Sequence, residues 1–138
     1  RSLPPERWYE RIQPCGRKLA KVKLTNIDFE DVINAGSKNR VLMFIDPPYF
    51  KPPKKKHYRH GFAHKDHVRL ANELKNTKHK FFLTYEDCED VRDLYSWANI
   101  HEVKFFYRLD NSNIEEGMRK MGFELIITNY ELPHTELF

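Results

Sequence analysis

The strongest constraint on the fold is an unbroken apolar run, Val41-Leu42-Met43-Phe44-Ile45, cut off at once by Asp46-Pro47-Pro48-Tyr49. A run with no polar alternation reads as a strand buried on both faces, the usual condition in a parallel sheet. Asp46 and Pro47 each precede a proline, which pushes both out of the helical region into extended backbone. Pro47 and Pro48 have a nearly fixed φ and no N–H to donate. The chain therefore leaves the strand as a stiff segment that offers acceptors and no local donors. Ligands in open α/β sheets bind just beyond the carboxyl ends of such strands. A carboxylate, free carbonyls and a tyrosine ring thus arrive where these folds do chemistry.

The surrounding pattern fits alternating strands and helices. Val22 to Leu24 has a short strand pattern, and Asp28 is placed to cap a short helix with Phe29, Val32 and Ile33 inward and Gly36 as its stop. His64 to Thr77 has helical spacing, with Val68, Ala71 and Leu74 or Leu70 on one face. Lys80 to Tyr85 is the next strand. Glu86, Asp87, Glu89 and Asp90 crowd the first turn of a following helix, which suits its dipole, and Val91, Leu94 and Tyr95 face the core. Val103 to Leu109 and Phe123 to Tyr130 are the last strands, joined by Asn111 to Gly122. No long helical pattern separates them, so an antiparallel return is expected. Residues 1–20 hold Pro4, Pro5, Pro14 and Gly16 without a clean period and read as an arm, or the remainder of a recognition region. Residues 21–138 form the one folded domain.

Composition narrows the class. With 40% hydrophobic and 14% aromatic residues in 138, the chain can bury a core. It has no apolar run of membrane-spanning length and no signal-peptide pattern, so a cytoplasmic setting is expected and no membrane partner. Cys15 and Cys88 are isolated and carry no redox or zinc spacing. The net charge of +4 conceals an asymmetry: residues 51–65 carry +6 without an acid, residues 1–23 carry +5, and the other 100 residues carry −7. Positive charge beside the Asp46 motif and at the amino end points to a polyanion.

An acceptor-only site suits an exocyclic amino group. Drawing both N–H bonds toward acceptors localises the nitrogen lone pair and stabilises the positive charge that builds as nitrogen attacks an electrophile. Tyr49 adds a π surface on which a base stacks. This tetrapeptide resembles the DPPY motif of S-adenosylmethionine-dependent amino-group methyltransferases. The resemblance extends to Asp28-Phe29, Phe62, Asp66-His67, Arg69-Leu70-Ala71 with Leu74, Phe82-Leu83-Thr84-Tyr85-Glu86-Asp87 and Glu124 to Tyr130. In that order they are similar to the C-terminal half of the Dam-type (D12 class) DNA adenine-N6 methyltransferases, from about Arg11 onward.

The resemblance implies a partial methyltransferase fold of the Rossmann-like α/β class, with a mainly parallel sheet ending in an antiparallel hairpin. It implies methyl transfer from S-adenosylmethionine to N6 of a flipped adenine in DNA, direct and in line, in a bacterial or phage-like setting. Asp46 and the Pro47 carbonyl accept the N6 hydrogens, Pro48 holds the shape and Tyr49 stacks on the base. Asp28, Phe29 and Asp46 contact the cofactor. Lys51, Lys54, Lys55, Lys56, Tyr58 and Arg59, in the loop leaving the motif, contact DNA, with Lys and Arg on phosphates and Tyr58 on a base or in the hole a flipped base leaves.

The family's glycine-rich F-x-G-x-G turn, where backbone passes close to the cofactor, has no counterpart among Gly16, Gly36, Gly61, Gly117 and Gly122. Cofactor binding is therefore expected to need an N-terminal segment or a complementing chain that carries this turn. Two other readings follow. One is an inactive nucleic-acid-binding remnant or regulatory subunit. The other is an enzyme acting on RNA adenine N6 or DNA cytosine N4, since the same acceptors serve any exocyclic amine. His60, His64 and His67 have helix-compatible spacing, but in a cationic segment without a completing Cys or carboxylate they read as loop and helix-surface groups, and no metal is expected.

Overall fold

The computed structural model describes residues 4–50, 62–106 and 121–133. A 3-10 turn at Pro5–Arg7 leads into helix α1, Tyr9–Leu19. Helix α2 spans Phe29–Ile33, strand β1 Leu42–Ile45, helix α3 His64–Asn76 and strand β2 Lys80–Glu86. Helix α4, Glu89–Leu94, then precedes strands β3, Asn99–Phe106, and β4, Met121–Thr128. The strands form one sheet in the order β1-β2-β4-β3. β1 and β2 are parallel, with Leu42 opposite Lys80 and Ile45 opposite Leu83. β4 runs antiparallel to both neighbours, lying between β2 and β3. This mixed sheet fits the expected partial methyltransferase fold of the Rossmann-like α/β class, but with one parallel and two antiparallel pairings among the described strands it is not mainly parallel, and the antiparallel return has its second strand inside the sheet.

Alternation along β2 explains the layering. Phe81, Leu83 and Tyr85 are fully buried and join Leu125 and Ile127 of β4, Leu70, Ala71 and Leu74 of α3, and Val91 and Tyr95 in one core. Met43 and Ile45 pack against the same cluster. Phe82, Thr84 and Glu86 point the other way, with Thr84 opposite Ile126 and Glu86 opposite Glu124. Helices α2, α3 and α4 thus cover one face and leave the second more open.

The local signals are visible in the helix ends. Asp28 is extended (φ −62°, ψ 145°) and accepts from the Glu30 N–H at 2.9 Å, capping α2. Ala63 has no side-chain acceptor, yet the Asp66 carboxylate reaches back to its N–H at 2.9 Å, half of a capping box at the start of α3.

Four expectations are corrected. Val41–Ile45 is not buried on both faces: Leu42 and Phe44 are 61% and 73% exposed. β1 flanks the described sheet and has helices against one face only, so Phe44 stacks on Phe82 at 5.0 Å instead of entering a core. Val22 to Leu24 forms no strand, because no described strand pairs with it, and Leu24 is left 73% exposed. Val32 is exposed too, since the short α2 turns only Ile33 fully inward and Phe29 partly. Residues 9–19 of the expected arm are helical despite Pro14, with no residue buried.

His67 supplies a further correction. It is buried inside α3, not on its surface, with Nδ1 2.5 Å from the Tyr85 hydroxyl. The rings of Phe50 and Phe62 pack on its imidazole at 4.5 and 4.7 Å. Burial pushes its pKa down, helped by His64 and opposed by Asp66. A histidine held neutral by the fold favours the native state above its unfolded pKa of about 6.5, and this contribution is lost as pH falls toward the lower folded value. We therefore expect the wild type to lose more stability between pH 7.5 and 5.5 than His67→Gln, read as urea midpoints at each pH. Equal losses in both proteins would mean that burial of His67 contributes nothing to the acid response.

Candidate active site

The Asp46–Tyr49 segment sits at the carboxyl end of β1, beside the end of β2 where Thr84 and Glu86 project to the more open face. Asp46 is exposed, and its Oδ1 accepts a hydrogen bond from Thr84 Oγ1 at 3.0 Å. The same hydroxyl lies 3.3 Å from the Ile45 carbonyl. Three residues on, the Tyr49 hydroxyl donates to Glu124 Oε1 of β4 at 3.1 Å. Thr84 and Glu124 share one face of the sheet by register, so both ends of the motif are tied to that face. The segment crosses the strand ends with its two polar side chains anchored on separate strands. Pro47 and Pro48 are half-buried between these anchors.

A second cluster forms around Asp28-Phe29. The Arg69 guanidinium of α3 lies 4.3 Å from the centre of the Phe29 ring. It also pairs with Asp28 Oδ2 at 3.0 Å, with Glu30 Oε1 at 3.0 Å and with Asp66 at 3.7 Å. The Glu30 N–H, which binds its Oδ1, and then Arg69 hold the Asp28 carboxyl below the usual range. Phe62 tilts against Phe29 at 5.8 Å. Arg69 thus joins the cap of α2 to the face of α3. Its methylenes and planar head fit this stacked, forked environment in a way lysine would not.

The expected DNA contacts Lys51, Lys54, Lys55, Lys56, Tyr58 and Arg59 lie outside the described residues. Their two described flanks, Phe50 and Phe62, meet on the buried His67 ring. Among the described residues no cluster of His, Cys, Asp and Glu has the arrangement of a metal site, and no helix is long and apolar enough to cross a membrane.

Thr84, Glu124 and Arg69 stand within the sequence pattern, but spacing alone gives them no role. The signal for Thr84 was the alternation in Phe82-Leu83-Thr84-Tyr85-Glu86, which sets it apart from the core residues on either side. Glu124 could be placed only through the pairing of β4 with β2, which a linear reading does not supply.

A carboxylate and two prolines at the end of a parallel strand, a ring tied beside them, and an antiparallel last strand inside the sheet fit the α/β methyltransferase class that the sequence resembles. Residues 7–109 match the family model of the D12 class N6 adenine-specific DNA methyltransferases, and the chain belongs to that family. It is accordingly of an adenine-specific DNA methyltransferase type, and the match begins within the amino-terminal stretch read above as an arm. No curated protein matches the chain.

Proposed function

We propose that this chain carries the target-amine half of the active site and transfers a methyl group to N6 of an adenine flipped out of DNA. The observation that carries the reading is the anchored motif, with Asp46 held by Thr84 and Tyr49 by Glu124. In this scheme Asp46 and the Pro47 carbonyl accept the two N6 hydrogens. Tyr49, its hydroxyl fixed, presents a ring of defined orientation for stacking. Pro48 keeps the turn rigid, so the acceptors do not collapse onto each other when the base is absent. Flipping costs a few kcal/mol, offset by the pocket and by Lys51, Lys54, Lys55, Lys56, Tyr58 and Arg59 acting on the DNA strand.

S-adenosylmethionine, when bound, would supply an electrophilic methyl group on a sulfonium, with a neutral thioether as the leaving group. The residues present fit part of this cofactor. Asp28 and Asp46 offer carboxylates, and Phe29 offers an aromatic edge. Gly16 and Gly36 lie far apart in sequence and do not form a paired turn. The remaining contacts belong to a segment with the F-x-G-x-G turn, in the same polypeptide or in a complementing chain. Asp46 and the Pro47 carbonyl would stabilise the N6 protons while the N6–carbon bond replaced the S–CH3 bond, until one proton was lost to water.

Calorimetric titration with S-adenosylmethionine tests the division of labour. The expected result is no heat with this chain alone and restored binding when the glycine-bearing segment is added. Tight binding to this chain alone would overturn it, and no binding in either case would favour an inactive nucleic-acid-binding remnant. Chromatography of the methylated bases separates adenine N6 from cytosine N4, and DNA from RNA.

A further inference from the structure

We propose that Thr84 is a positioning residue for methyl transfer, fixing the Asp46 carboxylate in the orientation that meets the target amine. The inference rests on the reading of Asp46 as the N6 acceptor. Asp46 is exposed and follows the last residue of β1, so nothing in its own strand restricts its side chain. An exposed aspartate on extended backbone exchanges among staggered rotamers. Thr84 is the opposite kind of residue: β-branched, stiff at χ1, and carried by a strand paired on both sides.

A threonine hydroxyl has one hydrogen to give. It lies 3.0 Å from the Asp46 carboxylate and 3.3 Å from the Ile45 carbonyl, and the charged, nearer oxygen is the stronger acceptor. The bond joins a strand-end carboxylate to the interior of the sheet across the β1–β2 pairing, in which Ile45 lies opposite Leu83. With Oδ1 held, rotation of the carboxylate is arrested and Oδ2 keeps a constant direction. A base entering the site then meets an acceptor that is already in place, and no ordering is left for the transition state to require.

Thr84→Val keeps shape and β-branching while removing the hydroxyl, and Thr84→Ser restores it. In the full natural polypeptide, Thr84→Val should lower kcat about tenfold, the equivalent of one hydrogen bond to a charged group, with KM for DNA within about threefold. Thr84→Ser should recover most of the loss. A second measurement does not depend on turnover. The Asp46 Hα–Hβ couplings in NMR should report one rotamer in the wild type and Thr84→Ser, and an averaged value in Thr84→Val. An unchanged kcat or an unchanged coupling in Thr84→Val, with Asp46→Ala inactive, would overturn the role of Thr84 alone. Wild-type activity in Asp46→Ala would overturn both this inference and the reading beneath it.

Discussion

Replacement of Asp46 by alanine should abolish methyl transfer while leaving DNA affinity within a few-fold. The carboxylate is the only charged acceptor in the Asp46–Tyr49 segment, and the prolines after it donate nothing. In the proposed role its effect is confined to the step in which positive charge grows on N6. Loss of one preorganised electrostatic contact of this kind costs about 10²–10³ in rate, and more where no second group substitutes. DNA binding draws instead on phosphate contacts, which do not involve a carboxylate. The variant should also fold, because Asp46 is exposed and, among the described residues, its side chain is held by the Thr84 hydroxyl. A radiolabelled-methyl assay beside a DNA-binding titration checks both parts. Transfer at the wild-type rate would exclude Asp46 from the chemistry.

Phe81→Ala should give the largest loss of stability, about 3–5 kcal/mol. Phe81 is fully buried on the helix-covered face of β2, where it meets the Trp97 ring at 6.1 Å. Its N–H is also taken, by the Asn129 side chain at 3.1 Å, so the backbone there has little freedom to collapse into the vacated space. The Asn129 amide in turn donates to the His79 carbonyl at 2.9 Å. A small domain is stable by about 5–15 kcal/mol, so this single change removes a large share. Urea unfolding should show a lowered midpoint with an unchanged slope. A loss below about 1 kcal/mol would mean that β2 does not carry the core. By contrast, Phe82→Ala on the opposite face removes mainly a half-exposed stack with Phe44 and should cost less.

The sequence read most clearly where chemistry was local. The cap at Asp28, the apolar faces of α3 and the proline stop after Ile45 each depend on neighbours within a few residues, and the structure contains them; of the acids expected in the first turn of α4, Glu89 and Asp90 lie there, whereas Glu86 ends β2 and Asp87 precedes the helix. Errors arose where the outcome depended on distant partners. Val41–Ile45 looked like a doubly buried strand because hydrophobicity was complete, yet what covers Leu42 and Phe44 is not encoded in those residues. His67 looked like a surface group because its polarity was weighed without Tyr85, 18 positions away, which takes its Nδ1. The motif that carries the proposed chemistry was legible, whereas its two anchors were not, since Thr84 and Glu124 acquire meaning only from the register of β2 with β1 and β4.

The interior place of β4 also sets an order of events during synthesis. β2 is finished at Glu86, but the strand that pairs with its second edge begins at Met121. At a translation rate of about 5–20 residues per second, that edge of β2 waits roughly 2 to 7 seconds for its partner to begin. In the interval the nascent chain presents unpaired N–H and C=O groups beside Phe81 and Leu83, a template for pairing with another ribosome's product. The Thr84–Asp46 bond needs only β1 and β2 and is available early. The Tyr49–Glu124 bond must wait for β4, so the ring proposed to receive the base is the last part of the motif to be secured.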